Sequence, residues 1–156
     1  MKQEHIDALR HLPIAHQGLL IEGQWQPAAS GQTLPVVSPI DGQTLCSIAA
    51  AGAVDVDRAV QAARRSFEQG VWSRMAPAER KKILHRIADR IEANHAELAV
   101  LGVRDNGTEI AMAWKAEPGS AAGTFRYYAE CVDKINGEIA PTPEGTLGLV
   151  HKEPVG

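Results

Sequence analysis

The chain has 156 residues, of which 44% are hydrophobic and 22% charged, and this composition is close to that of an ordinary folded domain. The length allows one domain with a sizeable core but is short for two. The net charge of −3 gives no electrostatic reason to expect a nucleic acid or an acidic membrane as a partner. We therefore predict neither kind of partner.

Cysteine content and hydropathy point to a reducing compartment. The two cysteines, Cys46 and Cys131, are too few for a disulfide scaffold. No apolar run approaches the roughly 20 residues of a membrane span. The first residues are polar and lack the apolar segment of a signal peptide. These features predict a cytoplasmic protein.

The first fifty residues predict an arm and two pairs of short strands. Residues 1–18 are polar with a weak helical pattern, so we expect a loosely attached N-terminal arm. Strands are predicted on both sides of a tight turn at Glu22-Gly23-Gln24. A second pair, 33–37 and 44–49, flanks Ser38-Pro39-Ile40-Asp41-Gly42, where proline and glycine suit a turn.

The middle of the chain predicts a helical layer. Residues 55–69 carry one apolar stripe with Asp55 as the expected N-cap, and the stripe consists of Val56, Ala59, Val60, Ala63 and Phe67. A second helix begins near Pro77. Its expected buried face consists of Ile83, Leu84, Ile87, Ala88 and Ile91. In the next, short helix, Asn94 and Glu97 have capping-box spacing, and Leu98 and Leu101 are expected to face inward.

The pattern changes again after Asp105-Asn106-Gly107, which is predicted to end the third of these helices. A further helical turn is predicted over 110–115, and a separate long helix from Pro118 to about Ile135. After Gly137 the alternation of side chains predicts extended structure, as an edge strand or a long arm.

No sequence motif supplies a complete active site. The chain contains no G-x-G-x-x-G, no phosphate-binding loop of the G-x-x-x-x-G-K-[ST] type and no G-x-S-x-G elbow. The six histidines are scattered without zinc-ligand spacing. Cys131 stands between carboxylates near a helix C-terminus, and Cys46 lies within a strand, so both are interpreted as packing or surface cysteines. The residues alone indicate an α/β piece without an assembled active site.

One short segment, Asp105-Asn106-Gly107, has two possible roles. An acidic residue at a helix end beside a permissive turn can gather oxygen atoms around a cation. Asn-Gly also forms turns without any ligand, and the residues themselves favour this second role.

Several blocks, taken in order, carry a resemblance that covers Leu19 to Gly156. They are Ser38-Pro39-Ile40-Asp41-Gly42, Asp55–Ala63, Trp72-Ser73 with Glu79-Arg80 and Leu84, Asp105-Asn106-Gly107, Phe125-Arg126-Tyr127-Tyr128-Ala129, and Glu153-Pro154-Val155-Gly156. In this order they resemble the N-terminal part of NAD(P)-dependent aldehyde dehydrogenases. Thr108 stands where the family's D-N/T-G-K turn has lysine. Pro118-Gly119 before Ala121-Ala122 is most similar to members acting on γ-aminobutyraldehyde-type substrates, including γ-glutamyl-γ-aminobutyraldehyde.

The resemblance implies an α/β, aldehyde dehydrogenase-like fold that is incomplete in this chain. It assigns residues 19–136 to the N-terminal part of a Rossmann-like NAD(P)-binding domain, made of short β hairpins followed by a helical layer. It assigns residues 137–156 to the start of an extended β arm that joins subunits, and leaves residues 1–18 as the N-terminal arm. A homo-oligomer, or co-assembly with a full-length relative, is the implied state.

The resemblance also implies a monovalent-cation site for K⁺ or Na⁺. The backbone carbonyls of Val36 and Val37 and the side chain of Asp105 match family ligands, and a remaining ligand is expected outside this chain. The family's nucleophilic cysteine, oxyanion-hole asparagine and deacylating glutamate have no counterpart among these residues. We therefore expect an N-terminal fragment of an aldehyde-oxidising enzyme that neither binds NAD or NADP nor oxidises an aldehyde substrate by itself.

Two other interpretations remain open at this point. The chain could be a non-catalytic interaction module that pairs with full-length subunits through strands 33–49 and 147–153, whose open edges otherwise invite aggregation. It could also be an independent helical binding domain with incidental similarity. Without a covering sheet, its apolar helix stripes should be exposed.

Overall fold

The computed structural model describes residues 2–156 as three β hairpins and five helices. The strands are β1 Leu19–Ile21, β2 Gln24–Gln26, β3 Thr33–Val37, β4 Thr44–Ala49, β5 Glu138–Ala140 and β6 Gly148–Val150. The helices are α1 Gln3–Arg10, α2 Ala53–Gln69, α3 Pro77–Ala93, α4 His95–Asn106 and α5 Ile110–Cys131. The predicted strands 33–37 and 44–49 are confirmed as β3 and β4.

Each hairpin is a two-stranded antiparallel sheet: β1 with β2, β3 with β4, and β5 with β6. The first turn places Glu22 at φ 53° and Gly23 at φ 74°, the left-handed pair that suits a two-residue hairpin loop. The register of β3 and β4 shifts between Val36 and Val37, so this hairpin contains a bulge that sequence spacing did not predict.

Three helices, α3, α4 and α5, pack together through very small side chains. Ala88, Ala99, Ala113, Ala122 and Ala129 are all 0% exposed. Because alanine has no side-chain atoms beyond Cβ, these positions let the helix backbones approach closely. The core of the described chain lies in this layer.

Helix α2 differs from its prediction. Of the expected buried stripe, Val56 is 55% exposed and Val60 61%. The buried residue is instead Asp55, which lies inside the first turn and is not the N-cap. The helix begins one turn earlier, with Gly52 as its N-cap. No element of the described chain covers the side chains of Val56 and Val60.

Two details of α4 also correct the sequence prediction. Asn94 occupies the N-cap position of α4, but its side chain makes no capping hydrogen bond. Its Nδ2 donates instead to the Arg90 carbonyl of α3 at 2.7 Å. The residues that α4 buries are Ala99 and Val100, whereas Leu98 is 40% exposed. On α3, Ala88 is buried as expected, whereas Ile87 is 37% exposed.

Helix α5 is continuous where two helices were predicted, and it ends at Cys131, before the expected end near Ile135. Pro118 lies inside it and cannot donate to the carbonyl of Trp114 one turn earlier. That carbonyl instead accepts a hydrogen bond from His95 Nε2 at 2.8 Å. Since a carbonyl can only accept, Nε2 carries the proton. The bond from α4 compensates for the proline.

The N-terminal arm (residues 1–18, described from residue 2) is attached more firmly than predicted. Its helix α1 packs on α4 and buries Ile6 to 3% exposure. At the far end of the arm, Gln17 forms a parallel bridge with Ile48 of β4.

The last hairpin, β5–β6, confirms the predicted extended structure after Gly137. Its apolar side chains are strongly exposed, including Ile139 at 75% and Leu149 at 69%. None of the helices described here is both long and apolar enough to cross a lipid bilayer.

Candidate functional site

The structure brings two of the three predicted cation-site residues to one groove. A cavity of about 420 Å³ lies between β3–β4 and α4, and both Val36 and Asp105 line it. Val37 follows Val36 across the β bulge and is not among the lining residues. The other walls are mostly apolar and include Leu45, Leu98 and Leu101.

The end of α4 is held against the turn between β3 and β4. Gly107 adopts φ 78°, which permits the sharp exit from the helix that its position requires. A side chain at Gly107 would bring a Cβ within 3.2 Å of Pro39 Cγ. The next residues are fixed by an Asx turn in which Thr108 N–H donates to Asn106 Oδ1 at 2.7 Å. Glycine is therefore needed both for conformation and for space.

The Asp105 carboxylate is exposed and makes no hydrogen bond or ion pair with residues 2–156. Backbone carbonyl and carboxylate oxygens are hard ligands that suit alkali or alkaline-earth cations better than soft metals. Among the described residues no group of three or more His, Cys, Asp or Glu side chains is arranged to hold a metal ion. The groove thus places one carboxylate, that of Asp105, near the strand residue Val36, whose backbone carbonyl is the second predicted oxygen ligand.

The turn beside the groove has a defined electrostatic structure. Ser38 is 4% exposed, and its Oγ accepts the N–H of Ile40 at 3.2 Å. The Asp41 carboxylate accepts the N–H of Gln43 at 3.1 Å. This backbone hydrogen bond, together with one from the Ser38 side chain, lowers the pKa of Asp41 below its usual value. Asp41 therefore stays ionised and stabilises the turn next to Val37.

Asp55 is the most deeply buried ionisable side chain that the structure describes, at 2% exposure. Its two oxygens accept the N–H groups of Gly52 and Ala29, each at 3.0 Å. These two bonds, in that order, lower the pKa of Asp55, and Arg58 adds a smaller electrostatic contribution. Asp55 thus links the start of α2 to the segment after β2. It has a structural role, and sequence spacing indicated only a helix cap.

A second charged cluster joins α3 to α5. Arg126 Nη2 donates to Asp89 at 2.9 Å and to Glu92 at 2.8 Å, and Nη1 donates to Glu92 as well. The bond from Arg126 lowers the pKa of Glu92, and the two carboxylates raise the pKa of Arg126. Both acids are more than half exposed, so we interpret the cluster as orientation of the two helices rather than as a reactive site.

Neither cysteine lies in a setting that resembles a nucleophile. Cys46 lines the apolar side of the groove, and Cys131 is the last residue of α5. Each is a free, half-buried thiol. Their expected lack of a catalytic role remains a prediction.

Residues 25–156 match the model of the aldehyde dehydrogenase family. The chain belongs to the aldehyde dehydrogenase family. The NADP/NAD-dependent aldehyde dehydrogenase PuuC of Escherichia coli is 41% identical over 138 residues, which are 88% of this chain and 28% of that enzyme. The family prediction from the ordered sequence blocks is confirmed.

Solved aldehyde dehydrogenases share the fold. KauB of Pseudomonas aeruginosa matches all of this chain and 32% of its own, with a TM-score of 0.92 and 39% identity. The γ-glutamyl-γ-aminobutyraldehyde dehydrogenase of Burkholderia cenocepacia matches 98% of this chain and 31% of its own, with a TM-score of 0.90 and 38% identity. The aldehyde dehydrogenase-like α/β fold and the resemblance to γ-aminobutyraldehyde-type members are confirmed.

An indole-3-acetaldehyde dehydrogenase solved in complex with NAD⁺ matches 97% of this chain and 30% of its own, with a TM-score of 0.89 and 39% identity. Aldehyde dehydrogenases with NAD⁺ bound are therefore among its structural neighbours. The chain spans about a third or less of the length of these relatives. It corresponds to the N-terminal part of the family fold.

Proposed function

We propose that this chain is the N-terminal part of an NAD(P)-dependent aldehyde dehydrogenase that oxidises an aldehyde to a carboxylic acid. The observation that carries the proposal is the match of the whole chain to KauB at a TM-score of 0.92 and 39% identity. In this proposal the chain contributes packing and a cation site, and the nucleophile, the general base and the nucleotide site come from other residues of the enzyme.

We propose an aminoaldehyde as the substrate class. Relatives described as acting on γ-glutamyl-γ-aminobutyraldehyde and on indole-3-acetaldehyde have similar identity to this chain, at 38% and 39%. The Pro118-Gly119 and Ala121-Ala122 pattern, which resembles the first group, favours the aminoaldehyde. An activity assay therefore has to include both aminoaldehydes and indole-3-acetaldehyde as substrates.

The domain boundaries are part of the same proposal. Residues 19–136 form the N-terminal part of the cofactor domain, and residues 137–156 begin a β arm that contacts a second subunit. The strong exposure of Ile139 and Leu149 on the β5–β6 hairpin supports a contact with another chain. The two free cysteines fit a cytoplasmic location for the enzyme.

The cation site completes the proposal. Val36 and Val37 supply carbonyl oxygens and Asp105 a carboxylate oxygen to a K⁺ or Na⁺ ion, with at least one ligand from the rest of the enzyme. The shared groove of Val36 and Asp105 supports this assignment. The bulge opposite Val36 and Val37, where Leu45 of β4 has no partner in the register, interrupts the regular pairing at this point of the hairpin.

The test is a chimera in which this chain replaces the aligned N-terminal part of PuuC. We expect the chimera to reduce NAD⁺ or NADP⁺ with aminoaldehydes and to keep the ratio of rates with aminoaldehydes and indole-3-acetaldehyde that intact PuuC shows. The isolated chain should reduce neither NAD⁺ nor NADP⁺ with any of these aldehydes. Asp105→Asn should weaken the dependence of the chimera on KCl, whereas Asp57→Asn, the same change at an exposed position of α2, should not. A chimera that is folded by circular dichroism yet inactive with every aldehyde would refute the proposal.

A second candidate is a non-catalytic module that joins full-length subunits. The exposed β5–β6 hairpin is the observation that favours it. Size-exclusion chromatography of the chain with and without intact PuuC tests this candidate. Co-elution supports it, and unchanged elution of a monomer contradicts it.

A further inference from the structure

The N-terminal arm contacts both walls of the groove that contains Val36 and Asp105. The family match begins at residue 25, so the whole arm lies outside the matched part of the chain. Ile14 of the arm lines the groove directly, beside Cys46 of β4 and Leu101 of α4. The arm is therefore a third wall of the site.

The contact with α4 is made by the residue directly before Asp105. Arg104 Nη1 donates to the carbonyl of Leu12 in the arm at 2.7 Å. A hydrogen bond from a charged donor is stronger than one between neutral groups. Since Arg104 and Asp105 are neighbours in the last turn of α4, this bond restrains the segment that carries the carboxylate.

The contact with the hairpin is made by the backbone. Gln17 N–H donates to the carbonyl of Ser47 at 3.0 Å, and Ala49 N–H donates to the carbonyl of Gln17 at 2.8 Å. His16 Nδ1 and Ser47 Oγ are a further 2.9 Å hydrogen-bonded pair. The arm thereby pairs with β4 on the edge opposite β3, the strand that carries Val36.

Helix α1 prevents the arm from sliding along these two walls. Ile6 is 3% exposed, and α1 lies on α4. Burying an aliphatic side chain removes its apolar surface from water, and this favours the observed position of α1. The arm is thus fixed at three points: α1 on α4, Leu12 on Arg104, and Gln17 on β4.

We propose that the N-terminal arm sets the separation between Asp105 and Val36 and so sets the affinity of the groove for a monovalent cation, with Arg104 as the positioning residue. This inference rests on the cation site of the proposed function. It adds that residues which do not touch the cation control its binding, because the two ligand-bearing elements are joined to each other through the arm.

The experiment uses the chimera described above and measures its thermal midpoint as KCl replaces choline chloride at constant ionic strength. We expect Arg104→Ala to raise the KCl concentration of half-saturation about tenfold, and Arg104→Lys, which keeps a charged donor, to raise it by about threefold or less. Arg64→Ala removes the same charge from an exposed position of α2 and should leave half-saturation unchanged.

A purely structural role for Arg104 would lower the midpoint equally at every KCl concentration without moving half-saturation, and this result would overturn the inference. If Arg104→Ala does not fold, Gln17→Pro takes its place with the same expectation. It removes the N–H that donates to Ser47, together with the Gln17 side chain, and it restricts the backbone at this point of the arm. A wild-type chimera that is active but does not respond to KCl refutes the cation site and this inference, while leaving the proposed enzymatic activity intact.

Discussion

Helices α5 and α2 are held in place by different forces. Helix α5 buries Ala113, Ala122 and Ala129 completely between α3 and α4, whereas α2 leaves Val56 and Val60 more than half exposed. Polar contacts attach α2 to the rest of the chain: Asp55 to Ala29, Arg58 to Gln26, and Arg65 to Glu22. A regular apolar stripe therefore shows which face of a helix can be covered, and not whether a covering layer is present.

The largest expected effect comes from enlarging an alanine in the packed layer. Ala122→Leu should lower the free energy of unfolding by about 1–3 kcal/mol, because the added atoms have no space between α5 and its neighbours. The same change on α2, Ala59→Leu, should stay within about 0.5 kcal/mol. Urea denaturation of both variants measures the difference. Equal losses would mean that α2 is packed as tightly as α5.

The bond between α4 and α5 at Pro118 should give the next largest effect. His95→Ala leaves the Trp114 carbonyl without its donor and should cost about 1–2 kcal/mol. In a Pro118→Ala background the helix supplies its own N–H to that carbonyl, so the cost of His95→Ala should be smaller. A double-mutant cycle measures this coupling. Additive costs would show that His95 does not compensate for the proline.

Loss of the buried carboxylate of Asp55 should weaken the attachment of α2. Asp55→Ala leaves the N–H groups of Gly52 and Ala29 without their acceptor and should lower Tm by roughly 2–6 °C. Because the pKa of Asp55 is lower in the folded state than its ordinary value of 3.8, its contribution is present above pH 3.8 and is lost as pH falls through the folded pKa. In thermal melts from neutral to acidic pH, the difference in Tm between the wild type and Asp55→Ala should therefore become smaller. A constant difference down to the lowest pH would contradict this origin.

The smallest effect on stability is expected from the exposed stripe. Val56→Ser and Val60→Ser together should change the free energy of unfolding by less than about 1 kcal/mol, since neither side chain is buried. The same variant should be less prone to self-association, because it removes exposed apolar surface. Light scattering against concentration measures this. A stability loss of several kcal/mol would mean that the stripe is covered in solution.

Local patterns predicted most of the elements correctly. Strands β3 and β4, the start of α3 at Pro77 and the end of α4 at Gly107 follow from turn residues, proline geometry and the left-handed preference of glycine. The division of α5 at Pro118 was wrong because the compensating donor, His95, lies on another helix and 23 residues earlier in the sequence. Local sequence patterns cannot predict which distant side chain will donate a hydrogen bond to a backbone carbonyl that proline leaves without a donor.

The candidate site also has some features that the sequence predicts and others that only the structure shows. Asp105 and the Val36-Val37 pair were identified by resemblance to a family, and the sequence spacing between them contains no information about their separation in space. The bulge after Val36, the contact of Gly107 with Pro39 and the part played by Ile14 depend on packing between elements that are distant in the chain.

The family and the order of the elements follow from the amino-acid sequence alone, because they depend on local conformational preferences and on ordered motifs. Three features emerge only from the folded chain: which stripes are buried, the link that Asp55 makes between α2 and the segment after β2, and the contacts of the N-terminal arm with both sides of the groove. Burial and hydrogen-bond pairing depend on which surfaces meet, and that is a property of the folded chain as a whole.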